Sequence, residues 1–520
     1  MAEHVTRVVV VGFGPVGARL VEELLPAVRS GLLAVTVVGA EADPAYNRVL
    51  LAEYAVGRAS RERLDLLDHV SATDDGVDLR LRATVTSINR TRQTVSLDDG
   101  SELPYDRLVL ATGARANVPG LEGITSSRLG ETPTLDERAA ALPTGVEVLR
   151  DLSDADVIGA AVSAGKRIVV LGAGVLGMEF ALAAVEEGAE VAVVHHGDVP
   201  MARNLDTGGG RMLARAARSA GVEIVAHSRA ESVLMRTGVD GRLTFDALVC
   251  ADGKQVDGDL LVLSCGVGAR TELAARAGLA IARGVLVTDE LRSWSDPDIF
   301  AIGDCAQVAQ PIEGDGYVPG APSGLVGPGW QQADWLAAVF MAEAEASRRP
   351  DLLAAEREPV VMLKSEGVHV VAAGRIDAEP WDDAVDGGDL EVSQWVDRAR
   401  GSYVKIVARE SVITGFVCVG MPRLGAELTL LFERGSALVA DPALLLRLDA
   451  TGGSADASSA PSPDDTVCWC NGVSAKKISA CAAEGVTTVE GVGSVTRAGT
   501  GCGGCKGRIA QLLAAAPAAV

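Results

Sequence analysis

The chain is short of basic residues. It has 47 Lys and Arg against 70 Asp and Glu, a net charge of -23 at pH 7 and a pI near 4.7. Such a surface repels nucleic acid and other polyanions, which excludes them as partners. Aromatic residues make up only 3%, yet hydrophobic residues reach 48%, so the 520 residues hold ample material for several domain cores. No run of about 18 apolar residues occurs, which argues against a membrane span. The opening MAEHVTR lacks the basic-then-apolar order of a secretory leader. A cytoplasmic location with no membrane partner is the expectation. The sequence carries no signature of oligomeric state.

What is present begins with RVVVVGFGPVGARL, Arg7 to Leu20. Four consecutive valines suit a strand buried on both faces of a parallel sheet. Gly12, Gly14 and Gly17 follow at GxGxxG spacing, and a helical pattern continues through Leu25. In such a unit the first glycine makes the tight turn, the second admits a pyrophosphate, and the third lets helix and strand pack closely. The helix N-terminus adds unpaired N–H groups and partial positive charge. A lone loop of this kind also occurs without a ligand, so its neighbours matter. A second strand, Ala34 to Val38, ends close to Glu41, where a Rossmann unit hydrogen-bonds an adenosine ribose.

Asn47 and Arg48, in the turn-rich stretch Asp43 to Gly57, are candidates to reach a flavin or its phosphates; a surface ion pair is the alternative for them. This stretch has no cysteine, which excludes a redox disulfide or cysteine peroxidase centre there. LVLATGA, Leu108 to Ala114, is a buried strand whose Thr112 and Gly113 allow close approach to a ligand. In AIGDCA, Gly303 and Asp304 end another buried strand, where a carboxylate binds a polyol such as a ribityl chain or merely caps the next segment. A second fingerprint lies in KRIVVLGAGVLGMEFALAAVEEGAEVAVVHH. Gly172, Gly174 and Gly177 repeat the spacing and Glu179 sits early in the helix. His195 and His196 stand at the end of the following strand instead of an acidic residue, which removes the usual NADH preference and leaves NADH versus NADPH open.

Residues 358 to 437 read as a separate α+β domain without chemistry of their own, and 448 to 466 as a flexible linker. The last segment holds Cys468 and Cys470 as CxC and Cys502 and Cys505 as CxxC, 31 residues apart, an interval that fits two small helices. Four thiolates so arranged close a tetrahedral cage for zinc or iron. The other five cysteines, Cys250, Cys265, Cys305, Cys418 and Cys481, read mostly as small buried apolar residues. From Thr466 onward there are five basic and two acidic residues, so a basic module follows an acidic body. Docking of the module on the body through this asymmetry is expected.

Two GxGxxG units, the LVLATGA strand and AIGDCA, in this order, resemble the two-dinucleotide-domain flavoprotein reductases. That resemblance implies FAD on Gly12, Gly14, Gly17, Glu41, Thr112, Gly113 and Asp304, and NADH or NADPH on Gly172, Gly174, Gly177 and Glu179. VTVVGAEADPAYNRVLL, LVGPGWQQA and the cysteine tail look like the N-terminal part of the large subunit of assimilatory NAD(P)H nitrite reductases. The tail is similar to the bacterioferritin-associated ferredoxin module, which implies a [2Fe-2S] cluster on Cys468, Cys470, Cys502 and Cys505. The likeness covers nearly the whole chain. The nitrite reductase subunit continues into sirohaem and [4Fe-4S] domains, for which this chain has no spare cysteine set, so it is not expected to reduce nitrite by itself.

The expected fold class is α/β. It comprises a discontinuous FAD domain (1–145 and 275–348), an inserted NAD(P)H domain (146–274), an α+β C-terminal domain (349–447), the linker and a small helical [2Fe-2S] domain (467–520). The expected function is an NAD(P)H-dependent flavoprotein reductase passing electrons from NAD(P)H through FAD to the cluster. The redox partner implied by resemblance is the molybdenum-containing catalytic subunit of an assimilatory nitrate reductase. Alternative readings are a reductase for a rubredoxin, a ferredoxin or a separate nitrite reductase, and a redox-sensing or iron-handling protein. Such electron transfer requires no acid–base side chain, so no catalytic residue is named.

Overall fold

The computed structural model describes residues 5–66, 73, 75–124, 142–238, 241–311, 316–353, 358–365, 367–381, 390–438, 442–449, 463, 466–468, 473–499 and 505–515. Strand Thr6–Val11 is an interior strand of an eight-stranded sheet. It pairs in parallel with Leu33–Gly39 on one side and Arg107–Leu110 on the other. Asp296–Ala301, nearly 190 residues beyond Arg107–Leu110, pairs in parallel with that strand. The valine run therefore has neighbours on both edges, and it shares its core with helices Pro15–Arg29 and Val326–Ala344 and with a three-stranded antiparallel sheet between Val85 and Pro104; Val8 and Val10 are fully buried.

A second, five-stranded parallel sheet is drawn wholly from 146–263, with Ile168–Leu171 flanked by Val191–Val194 and Leu260–Leu263. The chain crosses between the two sheets through a short ribbon, Ala114–Ala116 against Val267–Ala269. Asp98-Asp99-Gly100 turns a hairpin between Thr94–Leu97 and Glu102–Pro104, with Gly100 at positive φ.

Strands Val361–Ser365, Val368–Gly374, Leu390–Asp397, Ser402–Arg409 and Val412–Val419 form a five-stranded antiparallel sheet with helix Pro422–Arg434 on one face. Its other face shares a core with the second dinucleotide unit. There helix Thr207–Ser219 opens on glycines: a Cβ on Gly208 would lie 2.5 Å from the Tyr403 ring, and one on Gly209 2.6 Å from Val417. Lys405 is fully buried at this seam, between Asp206 and Glu379 (3.5 and 3.3 Å). The sequence reading gave this region no chemistry and did not anticipate the buried charge.

Several boundaries differ from the sequence reading. The first helix includes the stretch through Leu25 and extends beyond it, running Pro15–Arg29 with Pro26 inside. It continues because Pro26 falls in the last turn, where a missing N–H frees only one carbonyl. A long helix of the same unit runs Val326–Ala344. The linker begins later than 448: Asp449 closes a 3₁₀ helix, and its carboxylate accepts from the N–H groups of Arg423 and Leu424 at the start of helix Pro422–Arg434. No helix among the described residues is long and apolar enough to cross a membrane.

Candidate functional site

The two glycine loops repeat one another in detail. Gly12 sits at φ +110°, and a Cβ there would lie 2.2 Å from the Ala111 carbonyl oxygen; Gly172 sits at φ +114°, with the same distance to the Ser264 oxygen. Each third glycine, Gly17 or Gly177, would place a Cβ 2.3 Å from the carbonyl oxygen of the first. These positions admit no side chain because strand, turn and helix touch through their backbones. The middle glycines behave differently. A Cβ on Gly174 would meet nothing within 4 Å, and one on Gly14 only Arg48 Nε at 4.0 Å. Each is the N-cap of the following helix, and neither helix has a side-chain cap. The open space lies where amide N–H groups and helix dipole converge, which fits a pyrophosphate at both loops.

Around the first loop the structure gathers a connected polar array. Glu41 accepts hydrogen bonds from Arg48 and from the Tyr46 hydroxyl (2.7 Å). Arg48 also donates to the Arg150 carbonyl (2.9 Å), and Arg150 in turn pairs with Asp304 (3.0 Å) and donates to the Ala114 carbonyl. Burial opposes the charge on Arg48, but Glu41 outweighs it and the pKa stands above the usual arginine value. Glu41 and Arg48 are thus joined through Arg150 to Asp304, which lies far along the chain. The ion pair considered as the alternative for Arg48 is present, and it is made with Glu41 beside the loop.

Asn47 has another setting. It is buried, and its side-chain oxygen caps the short helix Arg48–Leu50 by accepting from the Val49 N–H. Thr112 donates to the Arg270 carbonyl (3.0 Å), and Gly113 lies at positive φ and accepts from the Arg270 N–H. Gly303 is pressed against Val16 of the first helix, and its N–H donates to Gln332 (2.8 Å). Cys305, next to Asp304, is fully buried with its thiol on the Leu110 and Ile302 carbonyls, and burial raises its pKa, so it is a packing residue.

Sequence reasoning missed Arg150, Trp330 and Gln332. The Trp330 indole N–H donates to the Pro15 carbonyl at the start of the first helix. The stretch LVGPGWQQA carried a signal for Trp330 and Gln332. Arg150 carried none, because its role comes from loops that meet only in the folded chain.

At the second loop Glu179 is partly buried on the helix that follows it, and His195 follows strand Val191–Val194. His195 is 6% exposed, and its Nε2 is buried without a hydrogen-bond partner. Burial, then the charges of His196, His227 and Arg218, lower its pKa to about 4. It is therefore neutral near pH 7 and supplies no charge to a 2′-phosphate. The depressed value makes a stability prediction. An unfolded histidine binds a proton below about pH 6.5, whereas the folded one resists until about pH 4, so stability falls as pH drops through that window. At pH 5 the loss from this site is up to about 2 kcal/mol. NMR titration should show the His195 ring still neutral at pH 5, and His195→Asn should flatten that part of the melting curve against pH.

Of the four tail cysteines, Cys470 and Cys502 lie outside the described residues. Cys468 and Cys505 are both buried in one small core with Ile478, Val492 and Ile509. Helices Ala475–Ala483 and Val489–Thr496 occupy the interval between the pairs, as expected. The soft thiols of Cys468 and Cys505, brought into one small core, fit ligation of an iron–sulfur cluster.

Comparisons with known proteins agree with this layout. The pyridine nucleotide-disulphide oxidoreductase family matches residues 6–323, and the BFD-like [2Fe-2S] binding domain matches 466–515. A nitrite reductase [NAD(P)H] of Bacillus subtilis is 29% identical over 98% of this chain, and an assimilatory nitrate reductase electron transfer subunit of the same organism 28% over 98%. The chain spans 57% and 59% of those proteins' own lengths. In fold it is similar to the crystal structure of the covalent putidaredoxin reductase–putidaredoxin complex, with a TM-score of 0.67, 24% identity, and 85% of this chain and 95% of that one covered. The chain belongs to the pyridine nucleotide-disulphide oxidoreductase family, whose cofactors are FAD and NAD(P)H, and its tail is a BFD-like [2Fe-2S] binding domain.

Proposed function

We propose that the chain is an NAD(P)H-dependent flavoprotein reductase that hands electrons to its own [2Fe-2S] module and then to a partner protein. The observation that carries this reading is the conjunction of two equivalent glycine loops with a cysteine module seated on the helix of the first. FAD belongs to the first loop, with Gly12, Gly14, Gly17, Glu41, Arg48, Thr112, Gly113, Gly303 and Asp304 around it. Asn47 acts there through the backbone it caps. NADH or NADPH belongs to the second loop, with Gly172, Gly174, Gly177, Glu179 and His195. Cys468, Cys470, Cys502 and Cys505 hold the cluster. The domain division is 1–145 with 275–348, 146–274, 349–447 and 467–520.

When bound, the flavin converts a two-electron hydride donor into single electrons that a cluster can accept. The protein's own residues bind and orient. The loop N–H groups and Arg48 hold phosphate charge, and Glu41 fixes the Arg48 fork and offers its carboxylate to a ribose. Arg150 holds Asp304 in place for a polyol. Arg150→Ala is expected to raise the dissociation constant for FAD by about tenfold to a hundredfold, since a charge-assisted bond is worth about 1.5–3 kcal/mol. Flavin fluorescence on dilution checks it, with the cluster spectrum unchanged.

The partner we propose is the catalytic subunit of an assimilatory nitrate reductase, supported by near-complete coverage of this chain by the electron transfer subunit named above. Reduced protein mixed anaerobically with such a subunit and nitrate should be reoxidised; no reoxidation would reject this partner. The structural likeness to a putidaredoxin reductase supports a second reading, in which a separate small ferredoxin takes the electrons. Reoxidation by a free ferredoxin but not by the nitrate reductase subunit would favour it.

A further inference from the structure

Among the described residues the basic tail meets the acidic body at Arg497, and Lys477 adds an attraction to Glu23. Helix Val489–Thr496 ends on Arg497, which lies in the left-handed region (φ 63°, ψ 5°) and donates its N–H to the Gly493 carbonyl. Glycine or asparagine is the usual residue at such a position, because a Cβ is strained there. Arg497 reaches across to the helix that opens at the first glycine loop. Its guanidinium sits 2.7 Å from Glu22 and 3.0 Å from Glu23. Arg497, Glu22 and Glu23 are each about one-third exposed or less at their side chains, so water screens the contact only in part.

The acidic side of this contact is braced from behind. Arg19 lies 3.7 Å from Glu23 and forms a two-pronged pair with Asp334 of helix Val326–Ala344, at 2.5 and 2.8 Å. The Glu22–Glu23 step is therefore held by two helices of the FAD unit. A cavity of about 390 Å³ separates the module from that unit. Pro15, Arg19, Arg63 and Trp330 line it from the body, Gly493 and Lys506 from the module. Pro15 is the first residue of the glycine-loop helix, and Lys506 directly follows Cys505. Lys506, next to Cys505 in the chain, thus faces the same cavity as Pro15 at the start of the glycine-loop helix.

We propose that Arg497 is a positioning residue: seated on Glu22 and Glu23, it latches the [2Fe-2S] module onto the FAD unit in the pose from which the cluster is reduced. This rests on the flavin-to-cluster path given under Proposed function. A strained conformation retained by an arginine marks a residue kept for its side chain, since glycine would satisfy the backbone better. The partner of this surface is the chain's own tail, matched by opposite charge.

The test uses the full-length holoprotein. Arg497→Gly removes the guanidinium and relieves the backbone, so the melting temperature should hold or rise. Small-angle X-ray scattering should show a larger maximum dimension than the parent protein. Reduction of the flavin by NADH or NADPH should be unchanged, while reduction of the cluster, followed by its EPR signal, should slow about tenfold or more, as when one member of a charged pair is removed. Raising KCl from about 50 to 500 mM should slow the parent protein and leave the variant unaffected. Arg497→Glu combined with Glu22→Lys and Glu23→Lys should restore both the compact shape and the rate. Parent-like dimensions and parent-like cluster reduction in Arg497→Gly would overturn the latch. Failure of the parent protein's cluster to be reduced would instead reject the electron path, and the scattering comparison would still decide the latch.

Discussion

Gly12→Ala is expected to yield protein without FAD. The added Cβ would lie 2.2 Å from the Ala111 carbonyl oxygen and 2.6 Å from its carbon, both backbone atoms of the strand end. Neither atom swings away as a flexible side chain does. Gly12 also lies at φ +110°, which an L side chain rarely adopts. Relief therefore requires the turn itself to move, at a cost of about 3–5 kcal/mol, in the range that marks a disrupted core backbone. Gly14→Ala is the informative contrast. Its Cβ has open space apart from Arg48 Nε at 4.0 Å, and Gly14 lies at an ordinary φ of -85°. Melting should shift by less than about 0.5 kcal/mol, the usual size of an uncrowded change. FAD affinity should nevertheless fall, because that space is where the pyrophosphate meets the helix N-terminus. Flavin-to-protein ratio and a melting curve for each variant separate the two effects. Equal flavin content in parent, Gly12→Ala and Gly14→Ala would show that this loop holds no flavin.

Cys505→Ser and Cys468→Ser are expected to remove the cluster and leave the flavin chemistry intact. Soft thiolate ligation is what such a centre requires, and an alkoxyl group replaces it poorly. Both cysteines also belong to the small core around Ile478 and Ile509, so the module should lose stability along with its iron. The main body has its own cores and should keep its melting transition. Iron per protein should fall from about two to near zero, the full content of one [2Fe-2S] centre. Dye reduction by NADH or NADPH at the flavin should persist. Full iron content in both variants would displace these cysteines from the ligand set.

The parts of the fold legible in the sequence were those set by local pattern. The valine run before Gly12 and the IVVL run before Gly172 each specified a buried parallel strand, because no half-exposed strand tolerates four apolar residues in succession. The polar array at the first site was only partly legible. Glu41 and Asp304 follow strand ends, a position the Rossmann pattern marks, but Arg150 joins them only because Arg48 and Ala114 meet it in the folded chain. Asn47 shows the converse: a polar residue in the right stretch whose side chain goes to backbone capping. His195 held the expected place in sequence, yet its burial and neutral state depend on packing that no local pattern reveals. The charge asymmetry between tail and body was plain from composition, whereas the identity of Arg497 as the contact required the left-handed helix end.

The most direct measurement of the electron path is an anaerobic titration of the purified holoprotein with NADH, and separately NADPH, followed by absorption and EPR spectroscopy. Bleaching of the flavin bands should be accompanied by the rhombic EPR signal of a reduced [2Fe-2S] centre, with no external mediator present. Complete flavin bleaching by both coenzymes with the cluster remaining oxidised, while dithionite still reduces it, would contradict electron transfer from the first glycine-loop site to the cysteine module.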